Sequence, residues 1–302
     1  MTDPVLVLVY GPIGLGKTTD TVYAAPRSLF VGEVMAIRSV ALSVCGIDIP
    51  PSNIIVPVGG IRAVTALIPK LRGVTQSLVI DDLSLIVQQE FVELERSGKK
   101  GYDLFHVFQL RLHELREAAR RGGVHILISA HDGKPHVNGN TQQLIRGGPK
   151  LPGQSQEDIG AAFDGVFRLV ANPSRPIGHI AEYQVGSDDN YVTKDRFNVI
   201  YGAVPANLSE VLRVHGIELP RAPGLEWLDV AVPHYAEHLA TLPLETLRDR
   251  KVMGAVMAQI RADIAAKYTE NAKHQDWCMR DSYDRVMIAY NVRAHRMAMF
   301  GG

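Results

Sequence analysis

Gly11-Pro12-Ile13-Gly14-Leu15-Gly16-Lys17-Thr18 follows the apolar run Val5-Leu6-Val7-Leu8-Val9-Tyr10 and opens onto Thr19-Asp20-Thr21-Val22. The pattern G-x-x-x-x-G-K-T, placed between a strand and the start of a helix, is a phosphate-binding loop. Each residue type has a physical reason. Glycines let backbone N–H groups close around a phosphate, and the helix N-terminus adds a favourable dipole. Lys17 reaches the β- and γ-phosphates of a nucleotide, and the Thr18 hydroxyl is a ligand for Mg²⁺. The expected cradle runs from Gly11 through Pro12, Ile13, Gly14, Leu15, Gly16, Lys17 and Thr18 to Thr19, with ATP and Mg²⁺ as its ligands.

The rest of the composition limits the classes open to the chain. At 302 residues it fits one large domain or a core with an appendage. Apolar residues make up 46% and charged residues 21%, the balance of a soluble globular protein. A formal net charge of zero gives no global field for nucleic acid, so any such contact must come from a local basic patch. Cys45 and Cys278 offer neither a disulfide framework nor metal-ligand spacing. No apolar run approaches membrane-spanning length, and Met1-Thr2-Asp3-Pro4 lacks a basic-then-apolar leader pattern. The expectation is a cytoplasmic protein with no membrane association, in a bacterial or phage-infected cell.

Working outward from the loop, strands are expected at residues 28–31, 54–56, 78–80 and 124–129, with helices over 35–44, 61–71 and 104–121. Gly133 to Gln156 reads as a long polar loop. Further strands, antiparallel to the rest, are expected at 165–170, 179–184 and 198–200. This alternation predicts an α/β fold: a mostly parallel central sheet extended by antiparallel edge strands. The character changes near Pro220, where Pro220, Pro223 and Pro233 break the pattern. Two long amphipathic helical patterns follow, Leu244 to Tyr268 and Trp277 to Met297. The expected division is a core at 1–219 and a C-terminal helical region at 220–302, a helical hairpin packed on itself or on the core.

Three acids are candidates for the chemistry. Asp81 ends an apolar strand downstream of the loop, where an acid holds Mg²⁺ through water. Asp82, its neighbour, and Glu33, at the end of the second strand, compete to orient or deprotonate the attacking water. Glu33 is preferred because it reaches farther and lies on an adjacent strand. His131 directly follows the fifth strand, in a position to sense the γ-phosphate. His125, within that strand, reads as structural.

The order of these features resembles the RecA-like branch of P-loop ATPases, recombinases and DnaB-type helicases among them, over residues 5 to 215. Its anchors are the loop itself, Leu29-Phe30-Val31-Gly32-Glu33, Leu78-Val79-Ile80-Asp81-Asp82-Leu83, Ile126-Leu127-Ile128-Ser129-Ala130-His131 and Glu157-Asp158-Ile159-Gly160-Ala161-Ala162-Phe163-Asp164. The small phage-encoded Sak-type annealing ATPases are the nearest in layout. The resemblance implies Glu33 as catalytic glutamate and His131 as sensor. Val192-Thr193-Lys194-Asp195-Arg196-Phe197-Asn198 resembles the K-x-K or K-x-R element by which one subunit reaches its neighbour's γ-phosphate. Lys194 and Arg196 would then complete the site in trans, and the protein would be a homo-oligomer with ATP at its interfaces. Ring and other assemblies stay open.

The family's DNA-binding loop would fall within 133–156, which offers Lys134, Asn138, Arg146 and Lys150. Cations suit phosphates and amides suit backbone or base edges, while aromatics for base stacking are missing. The expected function is a Mg²⁺-dependent ATPase acting on single-stranded DNA in recombination, annealing or replication. The alternative is an assembly or DNA-packaging component whose ATP site switches protein–protein contacts. A small-molecule kinase is disfavoured because no Arg-rich lid segment is evident.

Overall fold

Alternation along the first strand sorts the molecule into two faces. The computed structural model describes residues 3–56, 59–137, 139, 142–151, 156, 159–176, 181–186, 189–268 and 271–300. In it β1 (Leu6–Gly11) is buried along its whole length. Val7 and Val9 join one hydrophobic cluster, and Leu6, Leu8 and Tyr10 join the other, as a period of two requires. A strand apolar on both faces belongs inside a parallel sheet with helices on either side.

The main sheet runs β3 (Ile54–Ile55), β2 (Leu29–Gly32), β4 (Ser77–Asp81), β5 (His125–Gly133), β1, β9 (Gly165–Ala171), β10 (Ala181–Val185), β12 (Gly202–Pro205). From β3 to β9 every neighbouring pair is parallel. Then β10 and β12 continue it antiparallel. Short β11 (Lys194–Asp195) and β8 (Gly148–Pro149) add antiparallel pairs to β9 and β5. The α/β class and the antiparallel extension expected from the sequence are thus present.

Helices α3 (Gly60–Leu71), α4 (Leu83–Arg96) and α5 (Gly101–Gly122) cover one face through Ile61, Val64, Ile68, Ile86, Phe108, Leu112 and Leu115. The other face is covered by α1 (Lys17–Ala24), by α6 (Leu208–Val214), and by the C-terminal helices α7 (Leu228–Ala240), α8 (Leu244–Arg248), α9 (Arg250–Lys267) and α10 (Ala272–Phe300). Val7, Val22, Phe167 and Tyr183 share one cluster with Leu228, Val232, Met253, Trp277 and Ile288, so residues on both sides of position 219 build the same core. The two C-terminal amphipathic patterns match α8–α9 and α10, which pack on one another, while α7 lies along α10.

Helix α4 starts where Asp82 caps it, its side chain accepting the Leu85 N–H at 2.9 Å. Two local readings are corrected. Pro233 does not break the chain; α7 runs through it, held by buried Leu228, Ala231, Val232, Tyr235, Ala236 and Leu239. Residues 198–200 are not a strand. The Asp195 carboxylate collects the N–H groups of Phe197, Val199 and Ile200, and Asn198 sits at φ 54°, so these amides are withdrawn from a ladder.

A buried ionic network joins α1 to α10. Arg280 donates to Asp20 at 3.1 Å, to Asp284 at 3.3 Å and to the Ala206 carbonyl at 2.7 Å, and its guanidinium lies over the Trp277 ring. Asp281 accepts from Tyr23 and Asn207 at 2.8 Å each and pairs with Arg221 at 3.4 Å, and Arg175 closes on Asp284. Asp20, Asp281 and Asp284 pair with Arg280, Arg221 and Arg175, and Arg221 also reaches the exposed Asp229 at 2.9 Å. No described helix is long and apolar enough to cross a membrane.

Candidate nucleotide site

At the C-terminal edge of the parallel strands the chain turns at Gly16, left-handed at φ 90°, and α1 begins. A side chain there would be strained. Gly11 has no room for a Cβ, which would come within 2.5 Å of the Leu169 carbonyl on β9. Lys17 is 8% exposed, and its Nζ donates to the carbonyls of Gly11 and Pro12 at 2.8 Å each. Burial lowers its pKa, against the opposing charges of Asp81, Asp82 and Asp132.

The Thr18 hydroxyl donates to Asp81 Oδ2 at 2.9 Å, and the Ser129 hydroxyl donates to Asp81 Oδ1. Burial raises the Asp81 pKa, offset by these two hydroxyls and by Lys17. Strand β4 carries this acid, and β5 separates it from β1. Asp82 is occupied twice, by the Leu85 N–H and by His131 Nε2 at 2.8 Å. His131 is fixed further by its N–H to the Ser84 hydroxyl at 3.3 Å, while its Nδ1 is buried with no hydrogen-bond partner. The structure therefore brings Lys17, Thr18, Asp81, Asp82 and His131 to one edge.

Glu33 follows Gly32, whose register partner on the neighbouring strand is Asp81. It is exposed and caps α2 (Val34–Ser39), accepting the N–H groups of Met35 at 3.1 Å and Ala36 at 2.7 Å. Asp132 and Arg168 were missed by sequence reasoning. Asp132 Oδ2 faces Arg168 at 3.8 Å, and its Oδ1 is buried without a partner. Burial raises its pKa against Arg168, Lys17 and Lys134. The available signal was Arg168 itself, a cation in the apolar strand Gly165-Val166-Phe167-Arg168-Leu169-Val170. His125 holds the structural place read for it, accepting the Val5 N–H at 3.3 Å.

Lys194 and Arg196 lie at the opposite end of the sheet. Lys194 pairs with Val166 and Asp195 with Gly165, which is level with Val7 on β1. From Val7 to Gly11 is about 13 Å at strand rise, so neither side chain belongs to its own chain's phosphate loop. Lys194 Nζ donates to the Gly160 carbonyl at 2.8 Å, and Arg196 pairs with Asp164 at 3.3 Å.

Between them Asp195 is buried against His215 Nε2 at 3.0 Å. Burial alone would lower the His215 pKa, but the hydrogen bond and charge of Asp195 carry it above the ordinary value. Burial would raise that of Asp195, but His215 and the amides of Ile200 and Val199 carry it below. The His215 contribution is full below about pH 6.5 and is lost as pH rises through its higher folded-state value. The Asp195 contribution is full above about pH 4 and is lost as pH falls through its lower one. Thermal melts should therefore show Tm falling as pH rises above about 6.5 and through the raised His215 value, and His215→Gln should flatten that slope.

Of the loop cations, Lys134 and Lys150 are exposed and Arg146 is half-buried; Asn138 lies outside the described residues, as do Glu157 and Asp158. The loop carries a small ribbon, β6 (His136–Val137) and β7 (Leu144–Ile145), with Val137 and Leu144 exposed. Its base is tied to the segment before Lys194: Gly147 donates to the Asn190 carbonyl at 2.7 Å and accepts the Val192 N–H at 2.8 Å. Arg168 lies over the Tyr191 ring at 3.2 Å.

No protein-family model matches the sequence, and no curated protein matches it. Among solved structures the chain is similar to the KaiC-like protein PH0186 from the hyperthermophilic archaeon Pyrococcus horikoshii OT3, at 16% identity and a TM-score of 0.38, over 61% of this chain and 79% of that one. It is also similar to the RadB recombinase, at 14% identity and a TM-score of 0.35, over 64% of this chain and 91% of that one. The sheet order, with the glycine-rich loop after β1, the acid at the end of β4 and antiparallel strands beyond β9, is a mixed α/β fold: a mostly parallel central sheet with antiparallel edge strands and C-terminal helices.

Proposed function

We propose that the chain is a Mg²⁺-dependent ATPase of the RecA-like type, completed between copies of itself, that acts on single-stranded DNA in a phage-like recombination or annealing system. The observation that carries the reading is the 2.9 Å hydrogen bond between Thr18 and Asp81, with Lys17 beside them. Hydroxyl and carboxylate oxygens are the hard donors Mg²⁺ prefers. Among the described residues no group of three or more His, Cys, Asp or Glu could hold a metal by itself. Thr18 and Asp81, the latter through water, would hold an ion that takes its remaining ligands from phosphate. Bound there, Mg²⁺ would supply charge neutralisation across the β- and γ-phosphates.

The residues of the chain do the rest. Lys17 leaves the loop carbonyls for the phosphates, and the loop amides from Gly11 to Thr19 orient them. Glu33 deprotonates the attacking water from the strand beside Asp81, and His131, tied to Asp82, senses the γ-phosphate. Lys194 and Arg196 belong to the neighbour's site, which their place at the far end of the sheet supports. Lys134, Arg146 and Lys150 track the DNA backbone.

Three measurements test this. Purified protein should release phosphate from ATP only with Mg²⁺, and faster with single-stranded DNA. An inactive Arg196→Ala protein should regain part of its turnover when mixed with an inactive Lys17→Ala protein, because one mixed interface combines an intact loop with an intact finger. DNA affinity should fall with salt at a log–log slope of about −2, set by three phosphate contacts. No DNA stimulation and no binding at low salt would refute the DNA role and favour the switching reading, in which the site governs protein contacts.

A further inference from the structure

Asp164 carries one charge and faces three guanidiniums. Its Oδ2 accepts the Leu6 N–H at 3.1 Å, pinning the start of β1. Its Oδ1 lies 3.3 Å from Arg196, 3.4 Å from Arg116 and 3.7 Å from Arg120. The carboxylate is 3% exposed and Arg116 is 11% exposed, whereas Arg120 and Arg196 are 41% and 48% exposed. Arg116 is also held by the Ala161 carbonyl at 3.3 Å. The cluster therefore has a buried ion pair at its base and two surplus cations at its rim.

We infer that Asp164 is a dock from which Arg196 is delivered to a second copy of the chain, with Arg120 tuning the strength of the dock. The inference rests on the reading of Arg196 as a trans-acting cation. Removing one partner of a buried ion pair is costly because it strands a charge. Here that cost is avoided, since Arg116 and Arg120 still neutralise Asp164 when Arg196 leaves. The backbone of Arg196 does not move with it: its N–H donates to the Asp164 carbonyl at 2.8 Å, and Asp195 is held in β11 and by His215. Release is thus a side-chain swing of a half-exposed arginine. Asp164 and Arg120 are positioning residues, acting on turnover through the fraction of Arg196 that is undocked.

The test is phosphate release measured against protein concentration for wild type, Asp164→Asn, Arg120→Ala and Arg196→Ala. Asparagine keeps an acceptor for Leu6 but removes the charge, so Arg196 is freed. The half-maximal protein concentration should fall about five-fold, the weight of one partly exposed ion pair. Arg120→Ala leaves Asp164 less compensated and removes a repelling neighbour, so Arg196 docks harder and the midpoint should rise about five-fold. Both changes should appear in that midpoint and not in KM for ATP. A merely structural role would move both variants in the same direction. If Arg196→Ala is inactive while the other two midpoints move together or stay put, the dock is refuted and the shared site stands. If Arg196→Ala in the assembled protein turns over normally, the shared-site reading itself fails. Should Asp164→Asn not fold, the direction of the Arg120→Ala shift decides alone, because that substitution leaves the Leu6–Asp164 bond in place.

Discussion

Glu33→Gln is expected to bind ATP with wild-type affinity and to hydrolyse it at least about 100-fold more slowly, the loss that follows removal of a general base. That factor corresponds to about 2.7 kcal/mol of transition-state stabilisation. Titration with a fluorescent ATP analogue and measurement of phosphate release separate the two effects. Glu33 is exposed and one strand spacing from Asp81, so its carboxylate can turn toward solvent above the acid. Its present bonds to Met35 and Ala36 use one carboxylate oxygen each; glutamine keeps a single acceptor oxygen for this cap, so far-ultraviolet circular dichroism and Tm are compared alongside turnover to separate the lost charge from the weakened cap. Asp82 is the weaker rival, because Leu85 and His131 occupy both of its oxygens. Asp132 is the stronger one, with a buried unpartnered oxygen facing the same edge as Lys17. Normal turnover in Glu33→Gln would pass the role to Asp132, and Asp132→Asn would then carry the loss.

Some of this site is legible in the sequence because its signals are local. The phosphate loop is eight consecutive residues whose glycines have backbone reasons, and Asp81 and His131 announce themselves by ending apolar strands. Asp132 does not, since it follows a histidine and its significance depends on Arg168, 36 positions away on a different strand. Asp164 is harder still: its partners come from α5 and from the segment after β11, and no periodicity links 116, 120, 164 and 196. The error at 198–200 has the same origin. Val199 and Ile200 have the β propensity of a strand, but Asp195 and His215 claim the amides from outside the pattern. Hydrophobic periodicity also hides polar groups that are buried against one another. Arg280, Asp281 and Asp284 are the charged residues among the apolar ones of α10, yet all three are buried.

Those residues set the largest stability effect. Arg280→Ala is expected to cost about 3–5 kcal/mol, the penalty for leaving buried charge unpaired, and that is a large share of the total stability of an ordinary domain. Urea denaturation would measure it as a lower midpoint at unchanged slope. Two carboxylates lose a partner at once, Asp20 and Asp284, and the Ala206 carbonyl loses a donor. Asp284 keeps Arg175 and Asn207, and Asp20 keeps the Tyr183 hydroxyl and the Leu208 N–H. Asp20, which loses its ion pair with Arg280, lies in α1 two residues beyond Thr18. A double variant, Arg280→Ala with Asp20→Asn, should recover part of the loss because it removes that charge as well. Failure of the second substitution to restore any stability would show that the cost is one of packing against Trp277 and not of electrostatics. ATP affinity followed in the same two proteins would then say whether the network, by holding α1, also holds the phosphate loop in its binding geometry.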